Sequence, residues 1–301
     1  MGFDKKTYVI PEGTTFDGDT IRVNGDVVLS NDCQMAFNVE AQRLFAGERT
    51  TIEGDVQTDG DVRIDLFSTV EGNIACGGDA CIGEGTKILG RLSLKGDLDV
   101  GDNVEIRDGF TARGWINIRS PIPMVLYVLL YLLELIKRGH SEEVDRILQE
   151  LQRHDQVIAV AEHYLFLPQG SSVGREAVIN GSLQVGADCT VTGNHTVKGN
   201  VYVAPGSAVH GSIKATGTVV IDDQVTVTGN VEGQAVTVGL ATVGGDVSAK
   251  KVSLFKNADI SGTVNAAEGV QFFDEKKKKM AAKVQRFREN VDVVDEVAEM
   301  L

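Results

Sequence analysis

Apolar and polar residues alternate along most of the chain in runs of only two to five positions. Val219-Val220-Ile221 and Val225-Thr226-Val227-Thr228 are examples. Period-2 patterning in short, β-branched runs predicts short strands. A short phrase, Gly-x-[Val/Ile/Leu], punctuates these runs. Gly54-Asp55-Val56, Gly72-Asn73-Ile74 and Gly90-Arg91-Leu92 follow one another at 18 residues, as do Gly96-Asp97-Leu98 and Gly114-Trp115-Ile116. Gly181 to Gly199 and Gly211 to Gly229 repeat the same step, and Gly245 and Gly262 follow at 16 and 17.

A fixed period near 20 residues is the signature of a solenoid. Eighteen residues divide into three short strands and three corners. The pattern predicts a β-helix in which each turn pairs with the next about 4.8 Å on, with inward Val, Ile, Leu and Ala stacked as one core. Glycine, Asn and Asp at the corners are expected to supply φ > 0.

The chain also repeats on a larger scale. Tyr8-Val9-Ile10-Pro11-Glu12-Gly13-Thr14 is echoed by Phe166-Leu167-Pro168-Gln169-Gly170-Ser171, and each phrase is followed by the 18-residue repeat. The expected fold is mainly β, with two tandem β-helices of about six three-strand turns, over residues 1–120 and 164–273. A helical hairpin over 121–163 is expected to join them, with an amphipathic helix over 274–301 at the C-terminus.

The hairpin reading rests on Ser120-Pro121-Ile122-Pro123 as a helix start and on Met124 to Ile136, which holds twelve apolar residues and one charge, Glu134. Thirteen helical residues span about 20 Å, short of the about 30 Å of a bilayer core. The expected role is burial in an intra- or inter-chain contact, with membrane contact as the alternative. A second helix starts at Ser141-Glu142-Glu143, with Val144, Leu148, Leu151 and Ile158 along one side. Met280, Val284, Phe287, Val291, Val294, Ala298 and Leu301 are spaced as a coiled-coil seam of about three heptads. The Lys276–Lys279 run ahead of it could sit on anionic lipid. Val125, Leu126, Leu129, Leu132, Leu133, Ile136, Val284, Phe287, Val291 and Val294 are the expected assembly or capping residues.

Charge narrows the partners. With 43 acidic and 29 basic side chains the net charge is −14, and such a body repels phosphate backbones, so nucleic acid is not expected. Four Cys without C-x-x-C spacing fit a reducing cytoplasm. Cys76 and Cys81 read as two small core residues. The N-terminus carries no secretory pattern. No metal-ligand set, cofactor motif or catalytic constellation is evident among the five His and the acids. Asp222-Asp223 reads as a corner pair. Ile82-Gly83-Glu84-Gly85-Thr86-Lys87 and Val203-Ala204-Pro205-Gly206-Ser207-Ala208 match the hexapeptide phrase of acyltransferases. That alternative would need His195 or His210 as its base, and the phrase does not run in phase through successive sixes.

Repeated Gly-Asp-Val, Gly-Asn-Ile and Gly-Asn-Val corners between short Val/Ile/Leu strands resemble the bactofilins. The resemblance covers 1–120 and 168–273 separately. It implies a right-handed β-helix and a polymer-forming cytoskeletal protein with self as partner, no enzymatic activity and a cytoplasmic location that can include the membrane surface. A β-helix ends in unpaired N–H and C=O groups over an open core. Stacking on another copy gives a filament, whereas a helical cap gives a bounded, non-polymerising adaptor. The N-terminal edges are the expected assembly faces.

Overall fold

The computed structural model describes residues 6–118 and 163–274. These residues are strands, turns and bends, with no helix among them. Apart from residues 163 and 274, the expected helices over 121–163 and 274–301 lie outside the described residues. The chain divides into two compact units, Met1–Asn180 and Gly181–Leu301.

In the first unit the chain cycles through three parallel sheets, here A, B and C in order of travel. Sheet A runs from Asp26–Leu29 through Arg43–Ala46, Val62–Ile64, Ala80–Ile82 and Leu98–Val100 to Ile116–Ile118. Sheet B stacks the two-residue strands from Gln34–Met35 to Glu105–Ile106. Sheet C stacks Thr20–Arg22, Asn38–Ala41, Val56–Thr58, Ile74–Cys76, Leu92–Leu94 and Phe110–Ala112. Registers advance by a turn at a time: Val62 pairs with Ala80 and Ala80 with Leu98. The second unit repeats the plan with sheets D, E and F, which open on Ser182–Val185, Thr190–Thr192 and Asn194–Val197 and end on Val270–Phe273, Asp259–Ile260 and Val264–Ala266. Its registers keep the 18-residue step, as in Val201 with Val219, and shorten to 16 between Val236 and Val252. Alternation puts one side of each strand in the core. Leu44, Val70, Ile88 and Leu92 are fully buried in the first unit, and Val203, Val227, Val231 and Val243 in the second.

The corners match the expectation at Asp32, Gly85, Asn103, Asp188 and Gly206, which have positive φ, but not at the repeat glycines. Gly54, Gly72 and Gly90 do not have positive φ. A Cβ on Gly90 would stand 2.5 Å from the Gly72 carbonyl oxygen, and one on Gly54 would stand 2.5 Å from the Asn38 nitrogen. These glycines are required by the close approach of successive turns. Left-handed backbone is instead concentrated at the corner after sheet A, at Asp32, Arg49, Phe67, Gly85 and Asn103, and in the second unit at Asp188, Gly206 and Gln224. Six of these eight residues are not glycine. Each such corner is held by hydrogen bonds, which offset the about 1–2 kcal/mol of a left-handed L-residue. Buried hydroxyls supply several of them: Thr50 Oγ1 and Ser68 Oγ donate to the Gly47 carbonyl at 2.9 and 3.0 Å, and Ser207 Oγ donates to that of Gly186 at 2.8 Å.

Short polar side chains, most of them one residue after a repeat glycine, close many of the corners. Asn38 Oδ1 accepts the Asp55 N–H at 2.8 Å, Asp55 Oδ1 that of Asn73 at 2.6 Å, and Asn73 Oδ1 that of Arg91 at 2.9 Å. Asp61, Asp79 and Asp97 form a second column, accepting from Asp79, Asp97 and Trp115. In the second unit Asn194, Ser212, Asn230 and Asp246 accept in turn from Ser212, Asn230, Asp246 and Thr263. The Thr263 N–H and hydroxyl hold the Asp246 carboxyl below its ordinary range.

Two glycine replacements separate these roles. Gly90→Ala drives a methyl against backbone and is expected to cost about 3 kcal/mol. Gly109→Ala has open space around it but a φ of +77°, and is expected to cost only about 1–2 kcal/mol. Urea unfolding of both variants checks the order; equal costs would contradict the close-approach role.

Candidate assembly surfaces

The first unit has one covered end and one open end. At the covered end, Tyr164–Leu167 lies parallel on Asp26–Leu29, with Leu165 opposite Val27 and Leu167 opposite Leu29. Ser172–Val173 lies parallel on Gln34–Met35. The edge N–H groups of Asp26, Ser30, Gln34 and Ala36 are satisfied by the carbonyls of His163, Leu167, Ser171 and Val173 at 2.8–3.1 Å. Leu165, Leu167, Val173, Ala177 and Ile179 are buried. Residues 163–179 therefore act as a strap over the start of the first coil. This corrects the expectation that the N-terminal edge of that coil is a free assembly face. The reason is geometric: a stretch carrying the same apolar alternation as a turn of the coil supplies the missing turn.

The strap then receives a strand itself. Thr7–Ile10 pairs antiparallel with Tyr164–Leu167, with Val9 opposite Phe166. When the two similar phrases are aligned on Pro11 and Pro168, Val9 and Phe166 are equivalent positions. Each phrase therefore pairs with its own counterpart, as a local two-fold axis requires. Both turns are built alike, with the Thr14 N–H donating to the Pro11 carbonyl and the Ser171 N–H to that of Pro168.

Two side-chain contacts fix the strap, through Gln169 and Pro168, beside an ion pair within the first coil. Asp26 is fully buried there and receives two hydrogen bonds from Arg43, at 3.0 and 2.5 Å, while the guanidinium also sits 5.3 Å over the Phe45 ring. Gln169 Nε2 donates to Asp32 Oδ2 at 3.0 Å, and Arg49 and Gln169 together hold the Asp32 carboxyl below its ordinary range. Cys33 Sγ donates to the Pro168 carbonyl at 3.2 Å, and burial pushes its thiol up to about 11.

The other end of the first coil is open among the described residues. Ile116–Ile118, Glu105–Ile106 and Phe110–Ala112 each pair on one side only, with Leu98–Val100, Lys87–Ile88 and Leu92–Leu94. Trp115 is 84% exposed, Ile118 72%, Ile116 50% and Phe110 47%. The second unit ends similarly at Val270–Phe273, where Phe272 is 57% exposed and Phe273 meets Phe255 edge to face. Exposed apolar side chains beside an unpaired strand edge are what edge-to-edge association uses.

The expected capping residues Val125, Leu126, Leu129, Leu132, Leu133, Ile136, Val284, Phe287, Val291 and Val294 all lie outside the described residues. The two histidines considered for chemistry point differently. His195 is buried on sheet F, whereas His210 is exposed on sheet E. Among the described residues no group of three His, Cys, Asp or Glu is placed to hold a metal ion. Asp222 and Asp223 do form a corner: Asp222 Oδ1 accepts the Asp223 N–H, and Asp223 Oδ1 accepts that of Leu240. Cys81 departs from the core reading. Ala80 and Ile82 point inward, so the residue between them faces out, in register with Arg63 and Asp99.

Of the four free thiols, only Cys81 is exposed. Burial raises the Cys76 thiol as it does that of Cys33. A chromogenic disulfide reagent should titrate one thiol rapidly in the native protein and four after denaturation; rapid reaction of the native Cys81→Ser variant would contradict the assignment.

Residues 172–271 match the family model described as Bactofilin: Polymer-forming cytoskeletal. No curated protein and no solved structure matches the chain. Short strands, 18-residue turns and Gly-Asx corners over this stretch agree with the match. Residues 172–271, about a third of the chain, are thus similar to the bactofilins, a family described as polymer-forming cytoskeletal.

Proposed function

We propose that the protein is a non-enzymatic cytoplasmic scaffold that assembles with copies of itself through the open ends of its coils. The observation that carries this reading is the apolar, unpaired last turn at Ile116–Ile118 and Val270–Phe273, in a chain with a polymer-forming family match. Among the described residues each unit offers one such turn, and two is the number a linear polymer needs. Pairing them with another copy would satisfy the edge hydrogen bonds and remove Trp115, Ile118 and Phe272 from water. A membrane contact, where present, would fall to the 124–136 apolar stretch and the Lys276–Lys279 run.

One observation favours a second reading. The strap shows that this chain can cover a coil end with its own residues, and a chain closed at its other ends too would be a discrete adaptor.

Negative-stain electron microscopy of the purified protein at low and moderate salt tests the proposal. Filaments are expected from the native protein and from His195→Ala and His210→Ala. Ile118→Glu and Phe272→Glu should shorten or abolish them while circular dichroism stays native. Discrete particles of one size from the native protein would replace the filament reading with the adaptor.

A further inference from the structure

A groove runs along the outer face of sheet C in the first unit. Its floor is a single register column, Arg22, Glu40, Gln57, Ala75, Ser93 and Thr111, one residue per turn. Two stretches of about 490 Å³ and 240 Å³ share Gln57 and Asp59 and are therefore continuous. Ala75, Gly77 and Ser93 lower the middle of the floor. Five steps between turns make it about 24 Å long, which fits about seven residues of extended peptide.

The groove is polar in one direction. At its first end Arg22 is engaged by Asp17 and Glu40 at 2.8 and 2.7 Å. At its far end Lys95 and Arg113 stand one turn apart on the rim, both exposed. Neither makes an ion pair with a described residue, whereas Arg22, Arg43, Arg49 and Lys214 do. Two like-charged side chains that leave backbones about 4.8 Å apart repel each other, and an incoming carboxylate relieves that repulsion. Between the ends, Gln57, Ser93 and Thr111 carry the donors and acceptors that an extended backbone uses, and Asp59 on the rim confines the place for an incoming carboxylate to the Lys95 and Arg113 end.

We propose that this groove docks an acidic peptide segment of a partner protein, anchored by its carboxylates on Lys95 and Arg113. Charge complementarity selects the occupant: the site offers two adjacent cations on a chain of net charge −14. A nucleic-acid strand, which carries a charge at every residue, is repelled by the acidic body around those two cations, whereas a short peptide places its acids only where the cations are.

The test uses the full-length protein and a fluorescein-labelled peptide of seven residues, two neighbouring Glu among Ser, read by fluorescence anisotropy at low salt. Saturable binding is expected. Lys95→Glu combined with Arg113→Glu should weaken it by at least about tenfold, Lys214→Glu on the second unit should leave it unchanged, and an alternating Lys and Ser peptide should not bind saturably. No saturable binding, or equal loss in the Lys214→Glu variant, would overturn the proposal. A photo-crosslinker introduced by Ser93→p-benzoylphenylalanine locates the occupant. Adducts on the added peptide support the docking site. Adducts confined to residues 119–162 or 275–301 of the same chain, or to a second copy, would overturn it by showing that the protein fills its own groove.

Discussion

At most corners of these coils one turn can lie closely on the next because the corner residue has no Cβ, and in several columns a short oxygen-bearing side chain one residue on takes an N–H of the next turn. At Gly72-Asn73 and Gly90-Arg91 the backbones approach closely enough that a methyl group would strike a carbonyl. The Asn73 side-chain oxygen then takes the N–H that the corner of the next turn would otherwise leave without a protein partner. The same arrangement recurs through Asp61, Asp79 and Asp97, and through Asn194, Ser212, Asn230 and Asp246. These contacts are exposed, and each is worth no more than about 1–2 kcal/mol. Their weight lies in register. A shift of one residue would break every column at once and turn the apolar face outward.

The same constraint explains why the ends matter. Stacking is translational, so every turn satisfies the one before it and exposes the one after it. A coil built this way has no intrinsic stop. The first unit solves the problem at one end with the strap, whose backbone takes the place of another turn and whose partner strand is the N-terminal copy of its own phrase, with Val9 facing Phe166. At the far end, Trp115, Ile116 and Ile118 remain exposed. Polymerisation and self-capping are thus alternative answers to one physical requirement, and the strap is the second of these at the start of the first coil.

Much of this was legible in the sequence. The 18-residue step of Gly54, Gly72 and Gly90 reports three strands per turn, and strand alternation reports the core. The corner chemistry was only half legible. Glycine signals either left-handed backbone or close approach, and the sequence does not distinguish them; of the left-handed positions, Asp32 and Asn103 are residue types expected there, whereas Arg49 and Phe67 carry no such signature. Cys81 was misread because two small residues near a Gly-Gly corner look alike until strand phase is known, and Ala80 and Ile82 set that phase. The strap was visible as a repeated phrase around Pro11 and Pro168, but repetition alone does not reveal that the two copies meet. The groove left no mark, because it depends on which side chains are small at one register column across several turns.

Removing one whole turn tests the account most directly. Deleting residues 73–90 joins Gly72 to Arg91 and preserves both the Gly-x-Leu phrase and the phase of all three sheets. Far-UV circular dichroism with thermal unfolding should show a folded, cooperatively melting β protein with a modestly lower Tm, whereas deleting residues 73–81, half a turn, should abolish folding. Loss of structure in the whole-turn deletion to the same degree as in the half-turn deletion would contradict the claim that corner-to-corner stacking sets the fold.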